Sequence, residues 1–167
     1  VLENRYDERD LALYALGIGM ARDPNDASER RYVYELDAEF AAFPAYAVIP
    51  QLTAMLSAAK NNSLELPGCK FGFDRLLHGE QYTQLLRPLP RQAHLRHSFR
   101  VKEVFDKAPN ALVVFAVTTS NAETGEDLVY NEMTAFIRGA GGWGGDRGPS
   151  EPINAAPDRE PDVIVED

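Results

Sequence analysis

The chain has a single cysteine, Cys69, in 167 residues. Neither an internal disulfide framework nor a cysteine-built zinc site can be assembled from one thiol. A lone thiol suits a reducing compartment. Long apolar runs are missing as well. No stretch approaches the roughly 20 residues that a membrane helix needs, so no spanning helix is expected. An excess of positive charge is absent: the formal net charge is −9, which argues against nucleic acid as the main partner. No basic segment leads into an apolar one after Val1. No signal peptide is therefore visible, and the chain reads as processed or as a piece of something longer. What remains is ordinary globular material. With 44% hydrophobic and 26% charged residues in 18.5 kDa, the chain can bury one domain core and lacks the composition of a disordered polymer.

The charge is uneven. Residues 146–167 hold seven acids and two bases. Arg87, Arg91, Arg96, Arg100, Lys102 and Lys107 face only Glu103 and Asp106 across residues 87–107, a local +4. All three histidines, His78, His94 and His97, lie in or just before that stretch. Such a patch suits either an anionic ligand or a solvated strand face.

Periodicity predicts an amphipathic helix over 7–19, where Leu11, Ala15 and Ile18 share a face and acids occupy the first turn. Residues 22–31 read as a loop around Asp23-Pro24-Asn25-Asp26. Residues 45–59, AYAVIPQLTAMLSAA, are apolar or small almost all round, which predicts a buried helix with Pro50 in its first turn or at a kink. Asn61-Asn62-Ser63 and Pro67-Gly68 mark turns. Strands are expected at 80–89, 94–105, 111–119 and 128–137, the last three joined by turns at 106–110 and 122–125. An antiparallel meander that curls around one apolar helix is the hot-dog architecture, an α+β fold. A plain α+β sandwich would leave that helix a wet side. Residues 139–145, GAGGWGG, match no phosphate loop and read as a flexible exit from the last strand. Residues 1–145 are therefore expected to form one domain. Residues 146–167, with four prolines, form an acidic linker ending in VIVED, where a new strand begins.

No serine–histidine–acid arrangement and no metal-ligand cluster stand out by spacing. His94 and His97 are three apart, which on a strand sends them to opposite faces. His78, Gly79 and Glu80 sit at the start of a strand, where a glycine lets backbone approach a ligand closely; a local turn histidine is the alternative. Tyr14, Glu35 and Glu39 form a second group, either acids of raised pKa near apolar segments or solvated loop residues.

Four segments carry a resemblance: YALGIGMARDPND at 14–26, YELDAEFAAFPAYAVI at 34–49, LLHGEQYTQLLRPLP at 76–90 and FIRGAGGWGGDRG at 136–148. In order and with nearly constant spacing, they resemble the N-terminal half of 2-enoyl-CoA hydratase 2, the MaoC-like hydratase unit of peroxisomal multifunctional enzyme type 2. PDREPDVIVED at 157–167 looks like the linker to that family's second half.

The resemblance implies two hot-dog repeats in one polypeptide, this chain being the first, and a homodimer of such double hot-dogs. The implied reaction belongs to fatty acid β-oxidation. Water adds across trans-2-enoyl-CoA to give (3R)-3-hydroxyacyl-CoA; the CoA thioester is the substrate and no cofactor is required. The family's catalytic aspartate and histidine lie in a G-D-x-N-P-x-H segment of the second repeat. Here Gly145-Asp146 is followed by Arg147-Gly148-Pro149, which does not continue that motif. No catalytic residue is therefore expected in this chain. His78 and Gly79 match a pair that contacts the CoA ester, and Lys107 matches a lysine on the same ligand. Tyr14 and Glu35 match positions that support the site. Eukaryotic relatives are peroxisomal and bacterial ones cytoplasmic, and the peroxisomal reading is preferred. Two rivals remain: a single hot-dog acyl-CoA thioesterase and a non-catalytic acyl-CoA-binding or assembly subunit. The thioesterase needs an acid or nucleophile on the central helix, and residues 45–59 hold no Asp, Glu or His.

Overall fold

The computed structural model describes residues 1–60, 73–150 and 155–164. The turns expected at 61–63 and 67–68, together with Cys69, lie outside the described residues, as does the end of VIVED. Val163 and Ile164, where a strand was expected to begin, are exposed and extend no sheet.

Strands β1 (Leu2–Tyr6), β2 (Leu76–Leu85), β3 (Ala93–Lys107), β4 (Asn110–Asn121) and β5 (Asp127–Ile137) form one sheet in the order β1-β3-β4-β5-β2. Every neighbouring pair is antiparallel. Period-two alternation drives the three central strands. Ala111, Val113, Phe115, Val117 and Thr119 of β4 are buried, in register with Ile137, Ala135, Met133, Asn131 and Val129 of β5. Burying the larger apolar side chains among them, such as Val113, Phe115, Met133 and Ile137, contributes about 1.5–3 kcal/mol each.

Helix α1 (Glu8–Gly17) starts at a capping box. The Asp7 carboxylate accepts from the backbone N–H groups of Arg9 and Asp10, and the Asp10 carboxylate accepts from Asp7 N–H. Leu11 and Ala15 are buried as expected, but Ile18 is 47% exposed because the helix ends at Gly17. Helix α2 (Ala27–Val33) stands where a loop was expected. Its Asp26 cap accepts from Ser28 N–H, and its polar composition hides it from a pattern search.

A 3-10 turn at Pro44–Val48 leads into α3 (Ile49–Lys60). Pro50 lies in the first turn of α3, one of the two sites open to it. Pro50, Gln51, Ala54, Met55 and Ala58 face the sheet, and Met55 packs with Ala111, Phe115, Met133 and Ile137. The expectation of burial on all sides fails. Leu56 is 51% exposed and Thr53, Ser57 and Lys60 are exposed too. One five-stranded sheet presents a single face to the helix, so it covers only one side of it. The arrangement is nevertheless a hot-dog unit, with the helix lying on one face of an antiparallel sheet.

Two further corrections concern strand limits. β1 was missed because LENRY carries three charged or amide residues; its pairing comes from backbone contacts to β3. β2 starts at Leu76 rather than 80, so Gly79 falls inside the strand, at a bulge between His78 and Glu80.

Candidate functional site

The pairing β2–β5–β4–β3 aligns Glu80 with Thr134, Phe136 with Leu112, and Leu112 with Phe105. These rows form one side of a cleft of about 330 Å³ lined by Gly79, Glu80, Phe105, Lys107, Leu112, Thr134, Phe136 and Pro149. Its floor is aromatic and aliphatic, and its rim carries one acid and one ammonium. Two residues far apart in sequence, Gly79 and Lys107, thus meet at one cleft. At the bulge, a Cβ on Gly79 would stand 3.3 Å from the Thr134 carbonyl oxygen, a tight fit. The glycine keeps the backbone there accessible.

His78 does not line this cleft. It pairs with Ala135, whose side chain is on the helix-facing side, and it is exposed on the edge strand. Tyr14 belongs to a different region. Its ring meets Tyr46 edge-on at 5.4 Å, and Tyr46 in turn meets Tyr6 at 5.3 Å. Glu35 and Glu39 are exposed, and neither sits in an apolar environment. The ordered acid of that loop is Asp37. Its carboxylate pairs with Arg30 at 2.9 Å, and the Asp37 and Ala38 carbonyls accept from Arg91.

The basic stretch is not one patch. Arg96 pairs with Glu3, Lys102 with Glu132 and Arg87 with Glu126. Lys107 differs. Its Nζ donates to the Pro149 carbonyl at 3.0 Å, and among the described residues no carboxylate pairs with it.

The glycine-rich segment is the largest correction near the site. It does not leave the last strand freely but folds around Asp106, which is 3% exposed. Oδ1 of Asp106 accepts from Gly142 N–H at 2.7 Å and Ala108 N–H at 3.0 Å. Oδ2 accepts from Gly144 at 2.7 Å and Gly145 at 3.3 Å. These donors, Gly142 foremost, hold the carboxyl below the usual range against the opposing effect of burial. The signal was present as a glycine run, but nothing local said what it wrapped.

His94 and His97 do face opposite ways. His94 sits 3.0 Å from Glu3 at the β1 edge. His97 is fully buried, with Nδ1 2.9 Å from Thr119 Oγ1 and Nε2 3.0 Å from Asn4 Oδ1. Asn4 Nδ2 donates to the Pro50 carbonyl at 2.6 Å, which commits Oδ1 to accept and Nε2 to carry the proton. Burial lowers the His97 pKa to about 4, so the ring is neutral. This cluster ties β1 and the start of α3 to the sheet and stands apart from the cleft. Among the described residues no group of three His, Cys, Asp or Glu could hold a metal ion, and no helix is long and apolar enough to cross a membrane.

Comparison with known proteins extends these observations. A family model described as MFE-2 hydratase 2 N-terminal domain matches residues 4–139. Peroxisomal multifunctional enzyme type 2 of Drosophila melanogaster is 39% identical over 164 residues, covering 96% of this chain and 27% of that protein. Enoyl-CoA hydratase 2, peroxisomal, of Arabidopsis thaliana is 33% identical, with 97% of this chain and 55% of that protein covered. Among solved structures, the full-length Drosophila multifunctional enzyme superposes with a TM-score of 0.73 at 33% identity, over 98% of this chain and 27% of that one. A MaoC-like dehydratase from Phytophthora capsici superposes with a TM-score of 0.76 at 26% identity, over 97% and 54%. The chain therefore spans between about a quarter and about half of these relatives.

Proposed function

The chain belongs to the MFE-2 hydratase 2 N-terminal domain family, and from that premise we propose that it is the CoA- and acyl-chain-binding half of an (R)-specific 2-enoyl-CoA hydratase. The complete enzyme adds water to trans-2-enoyl-CoA and yields (3R)-3-hydroxyacyl-CoA. The second repeat supplies the aspartate and histidine that activate the water and protonate the α-carbon. The division of labour fits this chain. It lacks the G-D-x-N-P-x-H segment, and its His94–Glu3 pair lies at the β1 edge, while the cleft adjoins β2 at the other edge.

The observation that carries the reading is the meeting of Gly79 and Lys107 at one cleft with an aromatic floor. Lys107 offers a point charge, unneutralised by any carboxylate of the described residues, to the phosphates of CoA. The bulge at Gly79 offers accessible backbone to the thioester arm. His78, which the resemblance also assigns to the ligand, lies on the opposite, helix-facing side of the sheet and stays outside this cleft. Tyr14 and Glu35 support the architecture from a distance. The small residues Ala54, Ser57, Ala58 and Ala59 on α3 are compatible with an acyl chain beside that helix, with Ala54 and Ala58 packed on the sheet and Ser57 exposed. The uncovered side of α3 and the β2 edge, with Leu77, Tyr82 and Leu85 exposed, receive the second repeat. The complete protein is a homodimer of double hot-dogs. Its proposed location is the peroxisome, a reading supported by the names of its relatives in fly and Arabidopsis.

Steady-state kinetics of Lys107→Ala in the complete two-repeat enzyme tests the reading. A charge-assisted contact contributes about 1.5–3 kcal/mol, so KM for enoyl-CoA rises roughly 10- to 150-fold while kcat is largely kept. An unchanged KM removes Lys107 from the site. Hydrolysis of acyl-CoA by this chain without its second half would instead favour a thioesterase.

A further inference from the structure

We infer that Asp106 is a positioning residue for the CoA cleft: it gathers the glycine-rich segment into a strap that fixes Pro149 and, through it, the ammonium of Lys107. The inference rests on the reading of the cleft given above and deepens it.

The geometry starts from the register of β3. A bulge between Val101 and Glu103 resets the alternation, so Asp106 opposes Ala111 and Lys107 opposes Asn110. The two neighbours consequently point to opposite faces of the sheet. Asp106 is not the counter-ion of Lys107. Both of its oxygens are taken by backbone N–H groups, from Ala108, Gly142, Gly144 and Gly145. The Asp106 N–H donates in turn to the Asp146 carbonyl at 2.7 Å. The chain then passes Phe105 at Gly148 and reaches Pro149, whose carbonyl accepts from Lys107 Nζ at 3.0 Å. One short segment thus runs around the end of β3 from the buried acid to the exposed ammonium.

The glycines are there for stereochemistry. Gly142 and Gly144 have φ of +94° and +79°, a region that side chains oppose. Gly141 passes the Asn110 backbone so closely that a Cβ would collide with its carbonyl oxygen. The strap leaves Lys107 two free N–H donors and a fixed direction. Without it, the ammonium samples its full rotamer freedom and the Pro149 wall of the cleft is lost.

The test uses the complete two-repeat hydratase with enoyl-CoA. Four variants are compared: Lys107→Ala, Asp106→Asn, the two together, and Gly142→Ala. The last keeps both side chains but opposes the loop conformation. Expected are a KM raised at least about tenfold in Lys107→Ala, a several-fold rise in Asp106→Asn with kcat kept, and no further rise in the double variant. Gly142→Ala reproduces Asp106→Asn, and it decides the question should Asp106→Asn fail to fold. A destabilised but folded Asp106→Asn or Gly142→Ala enzyme with unchanged KM overturns the inference, as does an effect that multiplies with that of Lys107→Ala. In those cases Lys107→Ala still raises KM and the cleft reading stands. An unchanged KM in Lys107→Ala itself removes both.

Discussion

The two ends of β3 are each fixed by a buried polar side chain, and they use opposite devices. At the N-terminal end His97 is neutral and satisfied by two other side chains, Thr119 and Asn4. At the C-terminal end Asp106 is charged and satisfied by four backbone N–H groups. A neutral imidazole suits a site walled by side chains of the core. A carboxylate needs converging donors, and here a glycine-rich backbone bends around Asp106 to supply three of its four. Both ends weaken in acid, but in different windows. His97 has a folded pKa of about 4, below its ordinary 6.5. The unfolded chain therefore takes up the proton first, and stability is lost as pH falls from about 6.5 to about 4. Asp106 is held below its ordinary 3.8, so its contribution is present above that pH and is lost only below it.

The largest expected effect follows from His97. Denaturant unfolding between pH 6.5 and 4 should show a loss of about 3 kcal/mol from this group. His97→Gln should flatten that slope, whereas Asp106→Asn should leave it in place. A slope unaltered by His97→Gln would break the contrast. Next comes Gly141→Ala at the other end. Its methyl group has no room beside Asn110, and overpacking of this kind costs about 1–3 kcal/mol. Unfolding at pH 7 measures it, and no change would mean that the strap is loose. Asn4→Ala removes the link to the Pro50 carbonyl and leaves His97 Nε2–H unpaired. A loss of about 1–2 kcal/mol is expected, with faster hydrogen exchange in β1 and the first turn of α3. The smallest effect belongs to Glu35, which is exposed. Glu35→Ala should change stability by no more than about 0.5 kcal/mol. A fall in activity of the complete enzyme at unchanged stability would then mark an action across to the second repeat.

The central strands were legible because burial on one face imposes a period of two. ALVVFAVTT at 111–119 and LVYNEMTAFI at 128–137 state that period directly. α1 was legible through acids in its first turn and the spacing of Leu11 and Ala15. β1 and α2 were not. LENRY is held by its ladder to β3, and ASERRYV shows no apolar stripe. At the candidate site the residue types Gly79 and Lys107 were visible through resemblance, but the cleft walls Phe105, Leu112, Thr134, Phe136 and Pro149 were not. They come from four different segments, and no local pattern shows that those segments meet.

Sequence alone determined the three central strands, where Pro50 could sit and that no internal disulfide could staple the fold, because local sterics and composition act residue by residue. Only the tertiary structure decided that α3 is covered on one side, that His97 is neutral in a closed cluster, and that a run of glycines is a strap around Asp106 rather than a free tail. Each of these depends on desolvation and on donors brought from distant segments, and neither exists until the strands have paired.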